Sequence, residues 1–381
     1  MSRGCVTRKR DLWYAVVSVA DPKTGRRRRD WGRGFRTRKE AQARLTQVLA
    51  RLDAGAYVGP TRQTVAEYLR ETWLPAKRTD LKAGTLAMYE TCIEAYLLPA
   101  IGSLRLPELS PSHLNGLYGD LLQRGGRTGR GLADKTVRNV HTIVHRALTD
   151  AVRWGLLARN VADAADPPRK RGREMWTWTR EQLRTFLEHA RDDRLFPAFL
   201  LAATTGMRRG EVLGLRWGDV DLEAGRLAVR RSLVVVKSRL EFSGTKSGRG
   251  RQVALDPTTR AELRLHRKHQ AEERLAWGPA YRDDDLVICR EDGTPLNPDR
   301  LVDAFERQTK AAGLPRTRFH DLRHTHATLA LAAGVHPKVV SERLGHANIA
   351  ITMDTYSHAI PTLDEEAART VASLVFGEEG A

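Results

Sequence analysis

The 381-residue sequence has only three cysteines, Cys5, Cys92 and Cys289, and none of them forms a CxxC pair. Disulfide frameworks and cysteine-rich zinc sites need more closely spaced cysteines, so the sequence favours neither and suits a reducing cytoplasm. No apolar run approaches the roughly 20 residues that span a bilayer, and WYAVVSVA near the N-terminus is typical of a strand rather than a signal peptide. We therefore expect a cytoplasmic protein without a membrane partner.

The common nucleotide-handling and hydrolase motifs are also missing. The chain has no GxxxxGK[ST] loop, no GxSxG and no HExxH, so hydrolysis of ATP or GTP is not expected and no cofactor is predicted. The chain has 64 Lys and Arg residues but only 46 Asp and Glu residues, which gives a formal net charge of +18. Such an excess indicates a polyanionic partner, and nucleic acid is the first choice.

Two linkers, AYVGPTRQ and ADPPRKRGRE, divide the chain into three segments. We predict a multidomain protein with a small α+β N-terminal domain at residues 1–58 and an all-α domain at residues 64–165. Residues 175–381 are predicted to form a mainly α domain with a small antiparallel sheet and a C-terminal tail helix. In that tail, Val371, Leu374 and Val375 make an apolar stripe.

The N-terminal segment has the pattern of two strands within residues 12–35, followed by a helix that runs to Asp53. Thr37 and Glu40 have the spacing of a capping box at the start of that helix. Four consecutive arginines fall on the second strand: Arg26, Arg27, Arg28 and Arg29. A run of charge is often only a solvated face, but strand aromatics accompany this one, so a DNA-reading sheet is an equal alternative.

Four short stretches of the third segment concentrate cationic and nucleophilic side chains. They are TGMRRGE with Arg208 and Glu211, GTKSGRGR with Lys246, HDLRH with His320 and Arg323, and LGHANIAITMDTYSH with His346 and Tyr356. Taken singly, each has an ordinary explanation, such as a surface ion pair, an exposed lysine or a half-buried tyrosine. Zinc held by His320, His324 and His326 is an alternative, but acidic ligands nearby are limited to Asp321 and no cysteine is close, so no metal is predicted.

The surroundings of Tyr356 offer few apolar residues that would bury an aromatic ring. Pro337 and Gly345 are typical of the two ends of a short helix, so His346 is expected to emerge at a helix terminus. Tyr356 is then expected on another short helix, outside a core.

In this order and spacing, the four stretches resemble the tyrosine recombinase (phage integrase) family, over about residues 175 to 360. The resemblance implies that Arg208 and Arg323 grip a scissile phosphate, that Tyr356 attacks it and that Glu211 supports the site. It also implies a general-acid role for Lys246 and phosphate or proton contacts for His320 and His346. Lys237 is a nearby rival for the lysine, but the strand-like RQVAL that follows favours Lys246.

What the resemblance implies for function is a site-specific integrase that cuts and rejoins DNA through a 3′-phosphotyrosyl intermediate. Its expected partners are double-stranded attachment sites of a phage or mobile element and three further copies of the chain on paired sites, with room for accessory or directionality proteins. The first two segments resemble the arm-binding and core-binding domains of larger members. A type IB topoisomerase, a non-catalytic DNA-binding regulator and a zinc hydrolase are the alternatives.

Overall fold

The computed structural model describes residues 4–20, 27–53, 62–126, 129–169, 176–244, 250–356 and 361–376. Packing divides the chain into two compact units, Met1–Gly172 and Arg173–Ala381. None of the described helices combines the length and the apolar character that a bilayer crossing requires.

The first unit begins with an antiparallel three-stranded sheet and one helix. The elements are β1 (Gly4–Lys9), β2 (Leu12–Ala20), β3 (Arg27–Phe35) and α1 (Arg38–Asp53), with strand order β1-β2-β3. The Thr37 backbone N–H donates to the Glu40 carboxylate, and the Glu40 backbone N–H donates to the Thr37 hydroxyl. These two hydrogen bonds confirm the predicted capping box. One face of the sheet packs on α1 through Ala15, Val17, Leu45 and Val48. Strand β1 is an addition to the two strands that the sequence pattern predicts.

The rest of the first unit is helical, in agreement with the prediction. Its helices are α2 (Val65–Glu67), α3 (Leu74–Lys77), α4 (Ala83–Cys92), α5 (Leu98–Ile101), α6 (Pro111–Arg124) and α7 (Asp134–Arg153). Wider π-helical turns, Tyr68–Trp73 and Ile93–Leu97, join α2 to α3 and α4 to α5. Each π turn leads into a Leu-Pro step, and proline cannot donate the next helical hydrogen bond, so the helix widens there instead of ending.

The second unit is mainly helical with two small antiparallel sheets. Its helices are α8 (Arg180–His189), α9 (Phe196–Thr205), α10 (Arg209–Leu213), α11 (Pro257–Trp277), α12 (Pro298–Ala311), α13 (Asp321–Ala332), α14 (Pro337–Leu344), α15 (Ile349–Tyr356) and α16 (Pro361–Phe376). Its strands are β4 (Val220–Asp221), β5 (Arg226–Val229), β6 (Arg231–Val236), β7 (Arg239–Gly244) and β8 (Arg251–Ala254). Strands β4, β5 and β8 form one sheet, and β6 and β7 form a separate hairpin.

The core of the second unit surrounds α9, whose residues are almost all buried. Trp178, Phe186 and Phe305 form an aromatic cluster with Phe199 of this helix. Helix α9 ends at Gly206, which has a φ of 68°. The left-handed conformation turns the chain sharply, so that Arg208 follows directly from a buried helix and opens α10.

Candidate active site

Arg208 and Glu211 form a closed unit at the start of α10. The Arg208 backbone N–H donates to Glu211 Oε2 over 2.9 Å, and Arg208 Nη1 donates to Glu211 Oε1 over 2.8 Å. Glu211 also accepts two hydrogen bonds from Arg251 at the start of β8, over 3.1 and 2.7 Å. One carboxylate therefore orients two arginines that lie far apart in the sequence.

Glu211 is only 2% exposed, so its ion pairs lie inside the protein rather than on the surface. Burial alone would raise the pKa of its carboxyl. The hydrogen bonds and charge of Arg251, with those of Arg208, outweigh burial and lower that pKa to about 2. The carboxylate is thus charged at every physiological pH, and the surface ion pair considered from sequence is wrong for this residue.

Arg323 is the second predicted phosphate arginine, and it is buried on α13 with 3% exposure. Its Nη1 donates to the Gly206 carbonyl over 2.7 Å. Its Nη2 is also buried, and no group in the described part of the chain accepts a hydrogen bond from it. Burial and the like charge of Arg208 lower the pKa of Arg323 to about 9, which leaves the guanidinium charged at neutral pH.

His346 lies beside both arginines, just after the left-handed Gly345 that ends α14. Its Nδ1 is 2.8 Å from the Thr352 hydroxyl, which fixes the ring against α15. Burial, then the charges of Arg323 and Arg208, lower the pKa of His346 to about 4. The imidazole is therefore neutral at neutral pH and keeps one N–H for a hydrogen bond.

Tyr356 is fully buried, so the expectation that its ring lies outside a core is wrong. The ring packs among Ala327, Leu331, Val340 and Leu344 of α13 and α14. Ala327, Leu331 and Val340 lie outside the tyrosine's own stretch and Leu344 is its first residue, so the apolar content of that stretch could not reveal the cluster. Burial raises the pKa of Tyr356 to about 12 against the opposing charges of Arg323 and Arg208.

His320 and His324 lie one turn apart at the start of α13, with ring centroids 5.2 Å apart. His320 is exposed, whereas His324 is half-buried and its Nδ1 is 2.7 Å from the Tyr356 hydroxyl. Burial, followed by the influence of His324 and Arg323, lowers the pKa of His320 to about 4.

Two residues of this site have contacts that the sequence does not predict: Arg251 has no predicted role, and His324 has one only in the zinc alternative. Arg251 binds Glu211, and His324 contacts the Tyr356 hydroxyl. Arg251 follows the predicted lysine by five positions, and His324 follows Arg323 directly on the same predicted helix face as His320, but neither position indicates the residue that it contacts. Their partners are tertiary neighbours.

Lys246 lies outside the described residues and remains a prediction. Its rival Lys237 is in the turn between β6 and β7, where it has a φ of 47°. In the described part of the chain, no three His, Cys, Asp or Glu side chains form a group that could hold a metal ion. His326 of the zinc alternative instead directs Nδ1 to the Ala203 carbonyl, 2.9 Å away.

The structure describes the four predicted DNA-binding arginines to different extents. Arg26 lies outside the described residues, and Arg27 and Arg28 are described only by their place on β3. Arg29 is exposed, and its strand partner is Ser18. Since Val17 faces α1, the alternation of strand side chains places Ser18 and Arg29 on the face of the sheet opposite α1.

Comparisons with known proteins match the three segments separately. Residues 177–362 match the profile of the phage integrase family. Residues 5–52 match the arm DNA-binding domain, and residues 64–122 match the N-terminal SAM-like domain of phage integrases.

Whole-chain relatives and solved structures point the same way. A tyrosine recombinase XerC-like protein of Caldanaerobacter subterraneus is 29% identical, over 96% of this chain and 97% of its own. An integrase of Streptomyces ambofaciens is 26% identical, over 92% of this chain and 90% of its own. Among solved structures, the Tn1549 transposon integrase bound to transposon right-end DNA has a TM-score of 0.65 at 21% identity, covering 81% of this chain and 98% of that one.

The lambda integrase dimer bound to a COC′ core site has the same fold, with a TM-score of 0.56 at 18% identity, covering 93% of this chain and 95% of that one. At these identities the structures establish the fold, while the family profiles and the full-length relatives establish the class. The chain belongs to the phage integrase family, and it is a tyrosine-type site-specific DNA recombinase.

Proposed function

We propose that Tyr356 attacks a DNA phosphodiester held between Arg208 and Arg323. The Tyr356 oxygen would form a bond to phosphorus while the bond from phosphorus to the 5′-oxygen breaks, which leaves a 3′-phosphotyrosyl linkage. Charge builds on the non-bridging oxygens during this step, and two fixed guanidinium groups neutralise it without a metal.

The observation that carries this proposal is the buried Nη2 of Arg323. A buried donor without a partner costs about 1–3 kcal/mol, and more when the group is charged, so a ligand that accepts this hydrogen bond would be stabilised at Arg323. Arg208 and Tyr356 are both close enough to perturb the pKa of Arg323. A phosphate oxygen at this position would accept the free N–H beside the phenol that attacks it.

The remaining predicted residues would handle hydrogen bonds and protons around the same phosphate. The neutral His346 would donate to a non-bridging oxygen, and the exposed His320 would contact the phosphate from the side of α13. Lys246 would protonate the departing 5′-oxygen as general acid. Glu211 would act indirectly, by holding Arg208 and Arg251 in place.

Strand exchange follows from the reversibility of the covalent step. The phosphotyrosyl bond retains the free energy of the broken phosphodiester, so a 5′-hydroxyl of another strand can displace the tyrosine without ATP. The proposed product is rejoined DNA with exchanged partners, at attachment sites of a phage or mobile element.

A nicked duplex that carries a candidate attachment site tests the chemistry. The nick lets the fragment beyond the cleaved bond diffuse away, so the covalent protein–DNA adduct accumulates. We expect adduct in EDTA and without nucleotide, and none with Tyr356→Phe, which keeps the packed ring but removes the hydroxyl. The matched control is Tyr281→Phe, whose hydroxyl lies by Cys289, 3.9 Å from its sulfur. An adduct formed by Tyr356→Phe would reject the nucleophile.

Assembly and location are part of the same proposal. The end of α16 exposes Val371, Leu374, Val375 and Phe376, with Leu374 80% exposed. Paired sites need four protomers to exchange four strands, and this apolar stripe would dock on a neighbouring copy within a homotetramer. Such an enzyme would act in the cytoplasm, where its DNA substrates lie, and accessory or directionality proteins would act on the same assembly.

A further inference from the structure

We infer that His324 is the base that takes the phenolic proton of Tyr356. The inference rests on the proposed function, since it assumes that Tyr356 is the nucleophile. Its basis is geometric: the Tyr356 hydroxyl is 2.7 Å from His324 Nδ1, and the two ring centroids are 5.7 Å apart. Among the described residues, no other side chain has a hydrogen bond to this hydroxyl.

The burial of the phenol makes a contact base necessary. Tyr356 is 0% exposed, so bulk water does not reach the hydroxyl to remove its proton. A phenol in such a setting loses its proton with difficulty, and the pKa of about 12 expresses the same point. The proton must therefore pass to a group already in contact, and His324 occupies that position.

The charged and titratable groups around His324 favour a neutral imidazole in the resting enzyme. Such an imidazole can accept a proton during the reaction. Burial, with the charges of Arg323 and Arg318, lowers the pKa of His324, while Asp321 opposes them. His320 lies against its ring on the same helix, Tyr356 faces it from α15, and His346 lies near enough for the two rings to interact. The imidazolium formed in the step would be paired with the new negative charge of the phenolate as it bonds to phosphorus.

The O–H bond of Tyr356 breaks and its proton bonds to His324 Nδ1, which requires that the resting tautomer carry hydrogen on Nε2. The phenolic oxygen bonds to phosphorus, and the 5′-oxygen leaves with the electron pair of the broken bond and takes a proton from the general acid. In the resealing direction, His324 returns its proton to the departing phenolate.

The test is the single-turnover rate of adduct formation from pH 5 to pH 9 on the nicked substrate. The wild-type rate should fall on the acid side, below the ordinary histidine pKa of about 6.5, as His324 becomes protonated. His324→Gln keeps a hydrogen-bonding group but cannot accept the proton, so the rate should drop about 10²-fold or more and the acid limb should disappear. His326→Gln, on the same helix but bonded to Ala203, should keep the wild-type profile.

A substrate with sulfur in place of the leaving 5′-oxygen separates base from acid. A thiolate leaves without protonation, so the defect of a general-acid variant should vanish, whereas the His324→Gln defect should persist. Recovery of His324→Gln on this substrate would overturn the assignment, as would a slow variant that keeps the acid limb. If His324→Gln matches the wild type while Tyr356→Phe forms no adduct, only the role of His324 fails. An adduct with Tyr356→Phe would instead reject the proposed nucleophile.

Discussion

Glu211 holds two arginines with one carboxylate, and its depressed pKa ties that arrangement to the stability of the second unit. The pKa is about 2 in the folded protein against an ordinary value of 4.5. Because the folded value is the lower one, the stabilisation is fully present above about pH 4.5 and is lost as the pH falls towards 2. The difference corresponds to about 3 kcal/mol at neutral pH.

We expect Glu211→Gln to lower the free energy of unfolding by about 3 kcal/mol at pH 7, because Arg251 and Arg208 lose their shared anion. The deficit relative to the wild type should shrink as the pH is lowered from 4.5 towards 2. Urea titrations of the full chain at several pH values measure this difference. Glu188→Gln is the control, since its ion pair with Arg184 is exposed and should contribute less than about 1 kcal/mol. A deficit that does not change with pH would contradict the assignment.

Much of the site is predictable from sequence at this scale, because the motifs fix the residue types and their order. The structure brings Arg208, Arg323, His346 and Tyr356 together around one position. The motifs do not predict which residues of the site contact one another. The bond from Arg251 to Glu211 spans 40 positions and that from His324 to Tyr356 spans 32, so both depend on how α13, α15 and β8 pack.

The turn after α9 positions Arg323, one of the two arginines proposed to hold the phosphate. Gly206 has a φ of 68°, and its carbonyl accepts the Nη1 bond of Arg323. A Cβ at this position would lie 2.5 Å from Leu344 and 2.9 Å from the His326 ring. A side chain there would therefore push α14 and α13 away from α9, in addition to straining the backbone.

Gly206→Ala should destabilise the second unit by more than about 1 kcal/mol, the strain expected of a non-glycine residue at such an angle. It should also reduce adduct formation, since Arg323 loses its fixed carbonyl. Gly334→Ala is the matched control, because its φ is 78° but no atom lies within 4 Å of the added carbon. It should show only the backbone strain and near-normal adduct yield. Thermal unfolding and adduct yield of the two variants give the comparison, and equal adduct yields would count against a positioning role for Gly206.

The strands were harder to predict than the helices. The stretch LAVRRSLVVV has the pattern of one strand. In the structure the strand is interrupted at Arg230, so that β5 and β6 belong to different sheets. A continuous apolar run does not reveal which neighbour each half pairs with. The sequence pattern does not predict strand β1, because GCVTRK has mixed polarity, and the strand forms only by pairing with β2 along one edge. The starts of helices are easier to predict, because N-capping residues such as Thr179 and Ser110 mark them in the sequence.

The net charge of +18 over the full chain should make DNA binding strongly dependent on salt. If Arg29 contacts an arm-site phosphate from the face of the sheet opposite α1, Arg29→Gln should weaken binding and reduce the slope of log affinity against log salt by about 1. Arg44→Gln on α1 is the control, since it removes the same charge from the helix side of the domain. Binding isotherms at several salt concentrations measure the slopes. Equal slopes for the two variants would place the contact elsewhere.

The exposed apolar stripe on α16 is expected to contact a neighbouring protomer. Deletion of residues 362–381 should weaken strand exchange more than DNA binding, because the lost contacts would lie between protomers. Leu374→Lys should reproduce that effect, while Ser373→Lys, on the other side of the helix, should not. Recombination assays and binding isotherms on the same DNA separate the two quantities. A parallel loss of both would instead assign the stripe to packing within one protomer.

Tyr356 fills a cluster of aliphatic side chains with its ring and offers only its hydroxyl to chemistry. Selection on stability and selection on activity therefore act on different atoms of one residue. In an inactivated copy of such a gene, phenylalanine at this position would remain compatible with a folded, DNA-binding protein, whereas alanine would open a cavity and cost about 3–5 kcal/mol. A decaying element could thus pass through a form that occupies its sites without cutting them, and that form would compete with active protomers.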